Sequence, residues 1–298
     1  MDTATGPSPA LPRIVDDPAQ VRAILADPDY RVPDPGRGAP SGTLAWLRQN
    51  VARLSNGADH ERRRELAEDL LRRVDPGGLR AGARDATNAA IDGAGRRPFD
   101  AMTLVARQVP VRVLAAALDV AHPEQATGQL AAVAAAFLPG TIDRGTADGS
   151  VARLAELLPA GPDEQVAARI GLLVQAYEST AGLIGNAVAA ATQAAVPGPA
   201  ADVVAQTVRS NPPVRFTRRV APSGETIALD LTAARDDPAG HLAFGSGPRA
   251  CPGAAHARAL AEGAVGPLLG RCRWTGAEIS YPDPPAPHVP VSLELTER

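Results

Sequence analysis

Residues 244–253 read Phe-Gly-Ser-Gly-Pro-Arg-Ala-Cys-Pro-Gly and run straight into a helix-forming stretch, Ala254 to Leu269. Gly245, Gly247 and Gly253 let the backbone turn sharply and approach a flat ligand closely. Arg249 carries a permanent cation suited to a carboxylate or phosphate. Cys251 falls at the start of the following helix, where free N–H groups and the helix dipole favour a thiolate. Such a loop suits a thiolate that ligates a metal inside a large anionic cofactor. A buried free cysteine after a turn is the plainer alternative.

The rest of the chain sets the scale. Its 298 residues allow one large or two ordinary domains, and its net charge of −3 gives no nucleic-acid footprint. No apolar run reaches the length of a membrane span, and the first residues lack a signal-peptide pattern. The only two cysteines, Cys251 and Cys272, make no disulfide framework, which fits a reducing, cytoplasmic setting. The dispersed histidines, His122, His241, His256 and His288, make no zinc site.

The organisation reads as mainly α with small β-sheets. Residues 1–12 read as disordered and 13–298 as a single domain, with no linker or repeat. Helical patterns cover 17–27, 43–54, 59–73, 78–92, 99–118, 124–137, 148–158, 163–195 and 200–210. Pro110 should divide the fifth. Residues 31–43 form a Pro/Gly loop, and residues 211–233 read as strand. Alternation of Val289, Val291, Leu293 and Leu295 predicts a strand within 275–298.

Phe-x-x-Gly-x-Arg-x-Cys-x-Gly, from Phe244 to Gly253, resembles the haem-binding signature of the cytochrome P450 family. The resemblance implies a trimmed cytochrome P450-like fold around a long central helix and a haem, namely haem b. It makes Cys251 the axial thiolate, which pushes electron density onto iron and favours O–O cleavage. Phe244 would shield the sulfur, and Arg249 would pair with a propionate.

Other stations follow in order. Leu172 to Gly182 resembles the family's central helix, where Ala/Gly-Gly-x-Asp/Glu-Thr reads here Gln175, Ala176, Tyr177, Glu178 and Ser179. Glu178 and Ser179 keep an acid–alcohol pair able to relay protons. Thr180 supplies the hydroxyl instead if the register shifts by one. On sequence alone these polar residues could equally face solvent. His60 and Arg64, four apart on one helix face, resemble the family's propionate-binding pair, and Arg219 matches its strand arginine. Gln206-Thr-Val-Arg209 stands where the family has Glu-x-x-Arg, so either another acid compensates or the region is more exposed.

The chain is short for this family. The segment from Phe137 to Ile170 looks too brief for the usual lid helices, and the hairpin between Ala221 and Leu229 looks cut. A reduced lid implies an open pocket suited to bulky or carrier-bound substrates. By resemblance the protein is a haem-thiolate monooxygenase of bacterial biosynthesis, acting on a small-molecule or carrier-bound substrate with a ferredoxin-type electron donor. Arg258, Arg271 and Arg273 could form the docking surface for that donor. The alternatives are a redox-neutral or peroxide-using haem enzyme, or a non-catalytic partner of a true oxygenase. No nucleic acid or membrane is implied. A homo-oligomer or a hetero-partner could supply missing segments.

Overall fold

A computed structural model describes residues 12–137, 144–192, 198–237, 239–283 and 286–298. The expected disorder of residues 1–12 falls almost wholly outside them. The described chain is mainly helical, with two three-stranded sheets.

The first helix, α1 (Pro18–Ala26), starts where the sequence says it should. The Asp17 carboxylate accepts from the Gln20 amide at 2.7 Å, and Pro18 occupies the first turn. Val21, Ile24 and Leu25 form its buried face. They pack on Val15 of β1 (Arg13–Val15) and Ile227 and Leu229 of β4 (Thr226–Asp230); with β3 (Phe216–Val220) these strands form a sheet in the order β1-β4-β3, β1 parallel to β4. β3 and β4 form a compact hairpin closed by the Ala221 amide on the Glu225 carbonyl, so a hairpin is present here.

The larger core surrounds α8 (Asp163–Thr192). From Thr180 to Ala189 every residue of α8 is buried, which marks a helix enclosed on all sides. Helices α2 (Leu44–Asn50), α3 (Gly57–Arg72), α5 (Val109–Ala117), α6 (Pro123–Ala136), α7 (Arg144–Glu156), α9 (Ala200–Ser210) and α10 (Ala254–Arg271) pack around it. α7 lies within the segment expected to be too brief for lid helices, and it packs on α6. The 99–118 pattern is divided as expected. A two-residue strand β2 (Phe99–Asp100) and a π-helical turn at Met102–Ala106 precede α5, with Pro110 in its first turn.

The C-terminal strand is shorter than its alternation predicts. Only Glu294–Glu297 (β6) pairs, antiparallel to both β2 and β5 (Cys272–Trp274). Val291 is 55% exposed, which breaks the pattern. Upstream, the His288 amide donates to the Pro213 carbonyl, and the Asn186 amide of α8 donates to the His288 carbonyl at 3.0 Å. These bonds hold that stretch as a strap against α8 instead of a strand. Cys272 is fully buried in β5.

The tightest helix contact is between α10 and α4 (Pro76–Ala94), at Gly263. A Cβ there would strike the Arg80 carbonyl oxygen and come within 2.9 Å of the Ala83 methyl. Gly263→Ala is therefore expected to destabilise the protein by roughly 1–3 kcal/mol. Gly270→Ala in the same helix meets nothing within 4 Å and should be neutral or slightly stabilising. Urea denaturation of the two variants checks this, and equal midpoints would refute the close approach.

Candidate active site

The cysteine loop is built from backbone bonds. The Cys251 amide donates to the Phe244 carbonyl at 2.8 Å, and a single 3-10 turn spans Gly247–Arg249. Gly247 has φ +67°, and a Cβ on it would lie 3.2 Å from the Leu25 carbonyl oxygen. Only glycine lets the loop press onto the end of α1 in this conformation. Phe244 is partly buried, with the Arg258 guanidinium 5.0 Å above its ring and the His241 ring tilted 6.4 Å away.

Cys251 is reached by solvent. Desolvation raises its thiol pKa above the usual value, against the lowering effects of the Gly253 N–H and Arg64. The helix N-terminus alone does not make this thiol acidic, contrary to the sequence expectation. A coordinated metal would deprotonate it outright.

Four basic residues gather beside the loop. His60 and Arg219 are buried, at 8% and 5% exposure. The Arg249 guanidinium donates to the Ser55 carbonyl at 2.7 Å and to Asn56 Oδ1 at 3.0 Å. Arg64 donates to the Ala250 carbonyl and pairs with Glu68, both at 2.7 Å. Among the described residues Arg219 bonds only Thr217 Oγ1 and the Arg218 carbonyl. Their fields overlap. Burial first, then Arg249, Arg64 and Arg219, lower the His60 pKa to about 4, opposed by Glu68. Burial and Arg249 lower that of Arg219 to about 10. Burial and then Arg64 lower that of Arg249. Glu68 is the one carboxylate in this group, and it is spent on Arg64. A buried arginine beside two half-buried ones, with so little countercharge, calls for an anionic ligand.

On α8 an accessible stripe interrupts the buried surface. Leu172, Gln175, Ala176 and Ser179 share one face at helical spacing; Gln175 is exposed and the others half-buried. The Ser179 hydroxyl donates to the Gln175 carbonyl at 2.6 Å. Glu178 sits one residue round the helix and pairs with Arg107 at 3.2 Å. Arg107 also reaches the Pro290 carbonyl. Thr180 is buried in the core, and its hydroxyl oxygen has no hydrogen-bond partner. The structure thus puts Ser179, not Thr180, on the accessible face. Arg107 escaped the sequence reading because nothing local marks a partner 71 residues from Glu178.

Gln206 and Arg209 are both exposed on α9, so the lost glutamate leaves no buried arginine unpaired. Of the three arginines considered for donor docking, Arg258 covers Phe244 and Arg271 is tied to Asp92 and Glu297. Arg273 is exposed. Among the described residues no cluster of three metal-ligating side chains occurs, and no helix is long and apolar enough to cross a membrane.

No family model matches the chain, and no curated protein does. Solved structures do. P450BioI, solved with an acyl carrier protein ligated to hexadec-9Z-enoic acid, superimposes with a TM-score of 0.80 at 22% identity, covering 96% of this chain and 92% of that one. The myxobacterial cytochrome P450 CYP267B1, solved with myristic acid, gives 0.77 at 19% identity, covering 96% and 90%. PksS, the cytochrome P450 of the Bacillus subtilis 168 bacillaene polyketide synthase, gives 0.76 at 16%, covering 95% and 90%. The chain has the cytochrome P450 fold.

Proposed function

We propose that the protein is a haem-thiolate oxidative enzyme, binding haem b and acting on a small organic or carrier-tethered substrate. The observation that carries this reading is the basic group of buried His60 and Arg219 and half-buried Arg64 and Arg249, with little countercharge, beside an accessible cysteine. The residues present fit a haem. Cys251 would ligate the iron, and the four basic side chains would take the propionates. Phe244 and Gly245 would wall the sulfur, and the Gly253 N–H lowers the thiol pKa. Bound there, a haem would supply oxygen or peroxide activation at a thiolate-ligated iron.

The chain's own part is to position groups and move protons. Ser179 presents a hydroxyl on the accessible face of α8, and its Gln175 partner can be exchanged for a ligand acceptor. Glu178 is the adjacent acid, but Arg107 holds its carboxylate. A relay through this pair therefore requires the Arg107 contact to open. That tether favours peroxide use as a second reading, because peroxide brings its own protons and electrons. The P450BioI complex with an acyl carrier protein supports a carrier-bound substrate. A ferredoxin-type donor remains the partner for the oxygen-dependent reading, with exposed Arg273 on offer. A non-catalytic role is not favoured, since it gives no reason for the accessible thiol and the uncompensated cations.

Titrating the ligand-free protein with haemin tests the reading. The absorbance change should saturate at about one equivalent, as one site per chain requires. A change that never saturates, or none, would reject it.

A further inference from the structure

A groove of about 360 Å³ opens between α2, the second half of α7 and the start of α8, and no residue assigned to the haem site lines it. Small residues make the space. Ala152 and Ala155 of α7, with Ala160 and Gly161 beyond it, stand where larger side chains would close the groove. Buried Trp46 of α2 forms part of the wall, and Val166 of α8 adds to its apolar surface.

Direct contacts fix the three helices around this space. The Asp148 carboxylate of α7 accepts from the Leu44 amide at the start of α2, at 2.7 Å. The Trp46 indole N–H donates to Asp163 Oδ2 at 3.2 Å. The groove is therefore preformed, and its charge is one-sided. Among its lining residues only Asp163 is charged. Arg153 and Glu156, also on α7, pair with each other. Asp163 spends one oxygen on the indole, and its Oδ1 has no partner among the described residues. An apolar hollow with an aromatic wall and one carboxylate acceptor left over is complementary to an organic cation. The free oxygen takes an ammonium N–H as a charge-assisted bond, and the indole and alanine walls take the body.

We propose that this groove is a second binding site, for a small organic ammonium ion with an aromatic or other apolar body. The inference stands independently of the haem reading. A neutral molecule of the same shape leaves the Asp163 charge unpaired, and an organic acid is repelled by it.

The chain has two tryptophans, Trp46 and Trp274, so full-length Trp274→Phe reports from Trp46 alone. Titration of this protein with phenethylammonium should change its fluorescence saturably. Asp163→Asn keeps an oxygen for the indole N–H but removes the charge, and should weaken binding about tenfold or more. The uncharged analogue 2-phenylethanol should bind the parent protein weaker by a similar factor. Ala155→Leu fills the groove and should abolish the response. Equal phenethylammonium affinity with and without the Asp163 carboxylate would overturn the proposal, as would 2-phenylethanol binding as tightly as the amine. Unaltered binding in Ala155→Leu, or no saturable change in the parent protein, would overturn it too.

Discussion

Arg219→Met is expected to weaken haemin binding by roughly 30- to several-thousand-fold while leaving the ligand-free protein as stable as wild type or more so. Removing one member of a buried, hydrogen-bonded charge pair commonly costs about 2–5 kcal/mol, which sets that range. Without haem, Arg219 has no carboxylate partner among the described residues and faces Arg249. A methionine of similar length relieves that repulsion and keeps most of the packing. The opposite signs separate a ligand-binding cation from a structural one. Haemin titration and urea denaturation of the same variant give both numbers. Unchanged haemin affinity, or parallel loss of stability and affinity, would contradict the role assigned to Arg219.

The second large effect is on pH. His60 titrates near 6.5 when unfolded and at about 4 in the ligand-free fold, so between those values the unfolded chain binds more protons. Stability therefore rises with pH across this window. The contribution of His60 is fully present above about 6.5 and is lost as the pH falls toward 4. The shift corresponds to up to about 3 kcal/mol. His60→Asn should flatten the slope there without touching a second, more acidic window. That lower window belongs to Glu164, whose pKa Arg62, then Arg63, holds down to about 2. Its contribution is lost as pH falls from about 4.5 toward 2. Bound haem should also shrink the His60 window, because propionates beside the ring favour its protonated form. Chemical denaturation at a series of pH values measures each slope. A His60→Asn slope identical to wild type would show that the basic cluster is not coupled as described.

Much of this was legible locally. The Asp17 cap, Pro18 and the Val21, Ile24, Leu25 face specify α1 within a dozen residues. The cysteine loop is legible because three glycines, an arginine and a cysteine at fixed spacing have one demanding conformation, which Gly247 shows against α1. His60 and Arg64 lie four apart on α3, so their shared face follows from helix geometry.

What escaped depends on contacts between distant segments. The Arg107 tether on Glu178 comes from tertiary packing alone. The Cys251 thiol was expected to be acidic from its place at a helix start, but desolvation outweighs the local N–H and dipole. Alternation from Val289 to Leu295 promised a longer strand, and the Asn186 amide instead binds the strap to α8. Within the lid segment, the helical pattern expected at 148–158 is met by α7, which buries Ala147, Ser150, Val151 and Leu154.

The central claim, that Cys251 ligates a haem iron as a thiolate, is tested by the absorption spectrum of haem-loaded protein reduced under carbon monoxide. Wild type should show the strongly red-shifted Soret band of a thiolate-ligated iron–carbonyl complex. Cys251→Ala should lack that band even where the basic cluster still retains haem. An unshifted band in wild type, or the same red-shifted band in the variant, would contradict the account.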